Sequence, residues 1–201
     1  MSNPSISVCY IVKDEEMFLE ASLQSAKAVA SEVIVVDTGS RDRTLEIARK
    51  AGARTETFKW CDDFSAARNF AAQFATGDWI LFVDGDEILE RSASTKLRSI
   101  IEAYSDIVAF GVLQRNYTNE RSLSGWKPTT TKNAGEISDL AQNLAGFSDN
   151  LMMKFYKNGL GIRWEGLVHE TIVGACQKLG LKHLESPACI LHHLGELKSE
   201  S

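Results

Sequence analysis

Two aspartates separated by one glycine, Asp84-Gly85-Asp86, follow directly on the apolar run Trp79-Ile80-Leu81-Phe82-Val83. A run of that kind reads as a strand, and both carboxylates then stand at its carboxyl end. Neither helps folding unless something satisfies its charge. A divalent cation held by carboxylate oxygens does so, and it can also bridge to a diphosphate. Taken alone, the triplet is equally compatible with a solvated acidic turn.

Four other stretches carry residues able to do chemistry. Asp37-Thr38-Gly39-Ser40-Arg41-Asp42-Arg43-Thr44 follows a second apolar run, Val33 to Val36. Gly39 permits a tight turn there, Asp37 can accept hydrogen bonds from a base or a ribose, and Asp42 can cap a helix. In Trp60-Cys61-Asp62-Asp63-Phe64-Ser65-Ala66-Ala67-Arg68-Asn69, Asp62, Asp63 or Ser65 can cap a helix. Arg68 then falls at the edge of its apolar stripe, within reach of a base or a phosphate. Trp164-Glu165-Gly166-Leu167-Val168-His169-Glu170 places two carboxylates and an imidazole where a general base could be drawn from them. His192-His193-Leu194-Gly195 offers an imidazole for a metal. Each stretch also has a plainer reading, as a turn, a cap, a surface ion pair or a solvated tail.

The elements that would position these residues alternate in type. Ile6 to Val12 reads as a strand buried on both faces, and Leu19, Leu23 and Ala26 form one helical stripe. Val33 to Val36 is a second strand, followed by a helix from about Arg43 to Ala51 that Gly52 stops. Thr55 to Phe58 is a short third strand, Phe64, Ala67, Ala71 and Phe74 are spaced for a third helix, and Trp79 to Val83 is a fourth strand. Such alternation implies a parallel sheet covered by helices, with ligands beyond the carboxyl ends of its strands. Lys13 and Asp14, Asp37 to Ser40, and Asp84 to Glu87 all lie at those ends.

Beyond about residue 105 the pattern changes. Ile107 to Leu113, Met152 to Tyr156, Ile162 to Trp164 and Ala188 to Leu191 read as short strands of an antiparallel or irregular half. Residues 116 to 150 are rich in Asn, Ser, Thr and Gly without a clean period, and Asn116 to Ser148 reads as a lid.

The 201 residues are 44% hydrophobic and 24% charged, with a formal net charge of -5, which suits a soluble globular protein and not a fibre or a coiled coil. An acidic chain without a Lys/Arg cluster is not expected to bind nucleic acid as its main partner. Cys9, Cys61, Cys176 and Cys189 show no metal-ligand spacing, and Cys9 and Cys189 lie in apolar runs where buried reduced thiols are expected. The apolar stretch from Ile6 to Val12 is too short for a signal peptide or a membrane span. A cytoplasmic location is the expectation, with peripheral association at the inner membrane face left open.

Together these stretches resemble the family-two glycosyltransferases of GT-A fold, and among them the short bacterial members. The motifs that carry the resemblance read DTGSRDRT from Asp37, WCDDFSAARN from Trp60, GDWILFVDGDEIL from Gly77, WEGLVHE from Trp164 and HLG from His193. They span roughly residues 5 to 195 and stand in the family's order. The resemblance implies one α/β domain with a Rossmann-like, mostly parallel sheet flanked by helices. A nucleotide-binding half would cover about 5–105, and a smaller mixed or antiparallel acceptor half about 106–195.

It further implies a nucleotide-diphosphate sugar donor, with a UDP-sugar expected, and a divalent metal, Mn²⁺ or Mg²⁺. Val12, Lys13 and Glu15 would line the nucleotide pocket, and Asp37, with Gly39 and Ser40 beside it, and Arg68 would serve the nucleobase. Asp84 and Gly85 would lie near the ribose, and Asp86, completed by His193, would hold the metal. Glu165 is the first choice for the base and Glu170 the second; the acidic pair that supplies the base in many members is missing here. The acceptor is open between a lipid carrier, a glycan of the kind built in cell wall biogenesis, and a peptide.

Two rival readings follow from the same residues. Asp84-Gly85-Asp86 after a strand is similar to the nucleophile loop of haloacid-dehalogenase-type phosphatases, with Asp84 forming a phosphoaspartate. Alternatively, the chain is a degenerate domain that binds a nucleotide sugar and does not transfer it.

Overall fold

The computed structural model describes residues 3–130, 134–167 and 169–200. The expected alternation runs through the first half: strand β1 (Ile6–Val12), helix α1 (Leu19–Ala26), β2 (Glu32–Asp37), α2 (Thr44–Lys50), β3 (Arg54–Thr57), α3 (Phe64–Ala72) and β4 (Trp79–Phe82). The second half contains β5 (Glu87–Leu89), α4 (Ala93–Ala103), β6 (Ala109–Thr118), β7 (Lys127–Pro128), a 3-10 turn (Gly135–Ile137), α5 (Ser138–Ala141) and β8 (Gly146–Lys157). It closes with α6 (Val173–Lys178), β9 (His183–His193) and a 3-10 segment, Gly195–Glu200.

The described strands form one sheet in the order β3-β2-β1-β4-β8-β6-β9-β5, with β7 on β8. β3, β2, β1 and β4 are mutually parallel. β8 runs antiparallel to β4 and β6, β9 parallel to β6, and β5 antiparallel to β9. Side chains of a strand alternate between faces. In β1, Val8, Tyr10 and Val12 pack with Leu19 and Leu23 of α1, while Cys9 packs with Ile34, Val36, Ile80 and Ala71 of α3. Continuous apolar runs in β1, β2 and β4 are therefore what a sheet covered on both faces requires.

The structure departs from the sequence reading in four places, three of them beyond residue 105. β6 and β8 run well past Ile107–Leu113 and Met152–Tyr156, because their polar ends pair with each other; Arg115 Nε reaches Asp149 Oδ1 at 2.8 Å. Asn116 to Ser148 is consequently not an open lid. Asn116, Tyr117 and Thr118 pair with Ser148, Phe147 and Gly146. Ala134, Ile137, Ala141 and Leu144 form a core cluster with Tyr117 and Phe147. Residues 131–133 of that stretch lie outside the described residues. Ile162 to Trp164 is no strand: Trp164 N bonds Asn69 Oδ1 of α3, and the ladder contact among the described residues of this loop is the Glu165–Thr171 bridge. Helix α4 went unread, although Leu97, Ile100 and Ile101 stand at helical spacing and pack on the core. Cys9, Cys176 and Cys189 are buried free thiols and Cys61 is exposed. No described helix is long and apolar enough to cross a membrane.

Candidate active site

A crevice of about 400 Å³ opens at the carboxyl ends of the parallel strands. It is lined by Val12, Lys13 and Glu15 after β1, Thr38 after β2, and Asp84, Gly85 and Asp86 after β4. Arg68 of α3, Glu170 and His193 complete it from elsewhere in the chain. Among the described residues, the non-glycine positions with positive φ are Asp14 (54°), Asp62 (57°) and His169 (58°), all in loops around this crevice. Asp and His tolerate that conformation better than most residues.

Local folding explains how distant segments meet here. Asp63 caps α3 by accepting from Ala66 N at 2.9 Å. Ser65 Oγ then bonds Gly166 O at 2.6 Å and Asn69 Nδ2 bonds Trp164 O at 2.9 Å. The helix thus holds the loop that ends at Glu170, although Val168 within it lies outside the described residues. On the other flank, β5 pairs with β9 so that Glu87 faces His193, which brings the end of β9 beside Asp86. His192 points the other way, is buried, and lies 2.9 Å from Tyr117 Oη through its Nδ1.

Asp84 is held from both sides. Arg68 Nη2 donates to its Oδ1 at 3.0 Å and Lys154 Nζ to its Oδ2 at 2.7 Å. Lys154 is buried and also bonds both Glu87 oxygens, at 2.8 and 2.9 Å. Glu87 in turn accepts from Asp84 N at 2.8 Å and Gln114 Nε2 at 2.6 Å. Burial alone would raise the Asp84 carboxyl, but the adjoining lysine and guanidinium hold it far below the usual range. Burial likewise opposes charge on Lys154, and the carboxylates of Asp84 and Glu87 outweigh it.

Arg68 is buried rather than extended to a base. Its Nε donates to Glu170 Oε1 at 2.7 Å, and its guanidinium lies over Phe82 and Trp164, 5.3 and 4.9 Å from their centroids. Its Nη1 is buried with no protein partner.

Asp86 is the second acidic centre. His193 Nε2 lies 3.3 Å from its Oδ2, and Lys198 Nζ lies 2.7 Å from the same oxygen. Lys198 Nζ is also 2.7 Å from Glu15 Oε1. Burial would raise Asp86, yet His193 and Lys198 bring it below its ordinary value. Burial would lower His193, and Asp86 raises it overall. Burial pushes Glu15 up to about 7 despite Lys198, and its Oε2 is buried without a partner.

These groups fit a divalent cation that is shared with a ligand. Asp86 and His193 supply an oxygen and a nitrogen donor side by side, and the orphaned Glu15 oxygen is a further acceptor. Among the described residues no three His, Cys, Asp or Glu side chains converge to enclose a metal unaided. A cation held by one or two protein donors and completed by phosphate oxygens matches that set.

The crevice brings together Val12, Lys13, Glu15, Arg68, Asp84, Gly85, Asp86, Glu170 and His193. Four expected residues stand elsewhere. Glu165 pairs with Lys178 at 2.7 Å on the far side of its loop, outside the crevice. Asp37 turns its carboxylate onto Gly39 N and Ser40 N at 3.1–3.2 Å, leaving Thr38 to face the crevice. Gly39 makes the expected turn at φ +117°, and Ser40 Oγ accepts from Asp14 N at 2.9 Å. Both therefore shape the rim. The sequence motifs do not point to Lys154 or Lys198 and assign Glu87 no role beyond its place at a strand end. A lysine inside Met152-Met153-Lys154-Phe155-Tyr156 was the available signal, since a charge in an apolar strand needs a buried partner.

With this geometry in hand, the comparisons with known proteins are specific. Over 109 residues, 54% of this chain and 27% of the relative, it is 51% identical to a TPR repeat-containing protein of Synechococcus elongatus. Over 131 residues, 62% of this chain and 44% of the relative, it is 30% identical to an uncharacterized glycosyltransferase of Rickettsia bellii. The chain thus spans less than half the length of these curated relatives. Its fold is similar to glucosyl-3-phosphoglycerate synthase of Mycobacterium tuberculosis, solved with Mn²⁺, UDP and glucosyl-3-phosphoglycerate. The TM-score is 0.61 at 19% identity, covering 97% of this chain and 75% of that one. Residues 7–158 match the model of glycosyl transferase family 2. The chain belongs to that family.

Proposed function

We propose that the chain transfers a sugar from a nucleotide-diphosphate sugar, a UDP-sugar, to an acceptor hydroxyl with inversion at the anomeric carbon. The observation that carries this reading is the crevice itself. A clamped carboxylate (Asp84), an imidazole beside a carboxylate (His193 and Asp86) and a further carboxylate (Glu170) line it at the carboxyl ends of a parallel sheet. Family membership and the UDP and Mn²⁺ bound in the similar synthase support the donor and the metal.

Asp84, fixed by Arg68 and Lys154, would lie near the ribose and hold the loop that carries Asp86. Asp86 and His193 would hold Mn²⁺ or Mg²⁺, which supplies Lewis-acid stabilisation of charge on the departing diphosphate. Glu170 takes the acceptor hydroxyl proton. The hydroxyl oxygen bonds the anomeric carbon as the carbon–oxygen bond to the diphosphate breaks, and that electron pair leaves with the nucleotide. Glu170, although bonded to Arg68 through one oxygen, replaces Glu165 as the base because it lines the crevice while Glu165 stands outside it. Asp37, Gly39 and Ser40 set the rim that borders the base. With both oxygens of Asp84 engaged by cations, its carboxylate is poorly placed to attack phosphorus, which argues against the phosphatase alternative. The acceptor falls among a lipid carrier, a glycan and a peptide, at a site in the cytoplasm.

The test is UDP release from UDP-glucose and UDP-N-acetylglucosamine with Mn²⁺ present. Release from either supports transfer chemistry. Tight UDP binding with no release from any sugar nucleotide, with or without acceptors, would leave only a binding domain.

A further inference from the structure

The cation-binding corner of the crevice already contains a positive charge that no motif announced. Lys198 belongs to the 3-10 segment Gly195–Glu200, and its ammonium lies 2.7 Å from Asp86 Oδ2 and 2.7 Å from Glu15 Oε1. Its side chain is one-third exposed, whereas those of its two partners are about one-tenth exposed. Two largely buried carboxylates therefore share one lysine reaching in from the rim, with His193 beside Asp86. Asp84 does not compete for it, because Arg68 and Lys154 already balance that carboxylate.

The segment carrying Lys198 is anchored so as to keep the ammonium there. Leu194 N donates to Asp86 O at 3.1 Å, Asn119 N donates to Glu196 Oε1 at 2.8 Å, and Leu197 packs on the cluster around Tyr117 and Phe147. Gly195 lets the chain pass this close: a Cβ there would stand 2.8 Å from His193 Cε1 and 3.1 Å from Asp86 Oδ2. Lysine itself has a long flexible stem with a compact charge. Its head can leave the corner by rotamer changes while the backbone stays fixed.

We propose that Lys198 is the resident cation of the site: its ammonium occupies the place between Asp86 and Glu15, and a divalent metal binds there only by displacing it. The inference rests on the assignment of Asp86 as a metal ligand. Its consequence is a site that binds free metal weakly and binds it well once a nucleotide diphosphate brings further oxygens. The donor's own phosphates then replace the carboxylates as the partners of Lys198.

The test is Mn²⁺ affinity without nucleotide, read by the electron paramagnetic resonance of free Mn²⁺ on the full chain. Lys198→Met is expected to bind Mn²⁺ at least tenfold tighter than wild type, and Lys198→Arg, which keeps the charge, within about threefold of wild type. Adding Asp86→Asn to Lys198→Met should abolish the gain. Thermal melting checks that each variant folds, and Lys198→Arg carries the comparison of charge against packing. Equal or weaker Mn²⁺ binding by Lys198→Met, or no Mn²⁺ binding by any variant, overturns the inference. UDP binding measured in parallel separates that failure from failure of the nucleotide site: UDP bound with Lys198→Met unchanged toward Mn²⁺ leaves the transferase reading standing.

Discussion

Lys154 donates to Asp84 across 2.7 Å from a fully buried position in β8. The lysine ties the end of β4 to the neighbouring strand and, through the equally buried Glu87, to β5. The geometry of the acidic loop is thereby set by the sheet and not by the loop alone.

Removing that lysine should be severe. Lys154→Met leaves Asp84 and Glu87 buried with one fewer cation, and breaking a buried pair from one side costs about 3–5 kcal/mol. Urea denaturation should show a fall of that size. A loss below about 1 kcal/mol would mean that Lys154 is not the counter-ion of this network.

The assignment of the base separates two glutamates in one loop. Glu170→Gln should lower UDP release about 10²–10⁴-fold, the usual worth of a general base, with UDP affinity held within about threefold. Glu165→Gln, which loses only an exposed pair with Lys178, should stay within twofold. The reverse ranking in steady-state rates would return the role to Glu165.

Much of the first half was legible because local signals agree with one another there. Apolar runs, caps and glycine stops alternate in β1 to β4, and a buried parallel sheet demands that pattern. Asp84, Asp86 and Arg68 were legible for the same reason, since each stands at a strand end or on a helix flank. Glu165 stands outside the crevice, and one-dimensional spacing does not say which side of a loop faces it. Only the bonds from Ser65 and Asn69 to Gly166 and Trp164 fix that orientation. Lys198 and the role of Glu87 were not legible because their partners, Glu15 and Asp86 for the one and Lys154 and Gln114 for the other, are mostly remote in sequence, brought together by pairing that no local period reveals. The segment from Asn116 to Ser148 read as a loop because its polar strand ends and small residues hide the β6–β8 pairing.

Stability should depend on pH through Glu32 at the start of β2. Its carboxylate accepts from Ser7 Oγ at 2.6 Å, Thr76 N at 2.6 Å and Thr76 Oγ1 at 2.8 Å. Partial burial opposes the charge, and these hydrogen bonds bring the group below its ordinary value. A depressed carboxyl stabilises the fold above its unfolded pKa of about 4.3, and the contribution disappears as pH falls through the folded value. Glu32→Gln should therefore cost about 1 kcal/mol at pH 7, reduced by solvent screening, with the difference shrinking as pH falls below about 4. Chemical denaturation across pH 7 to 2 checks this, and a cost that does not change with pH would assign the effect to packing.

The most direct test of the central claim is calorimetric titration of the purified chain with UDP, with and without Mn²⁺, for wild type and Asp86→Ala. The account predicts that Mn²⁺ tightens UDP binding in wild type by at least tenfold, about 1.4 kcal/mol, and that Asp86→Ala abolishes this gain. No UDP or GDP binding by folded wild type with Mn²⁺ present would contradict the account.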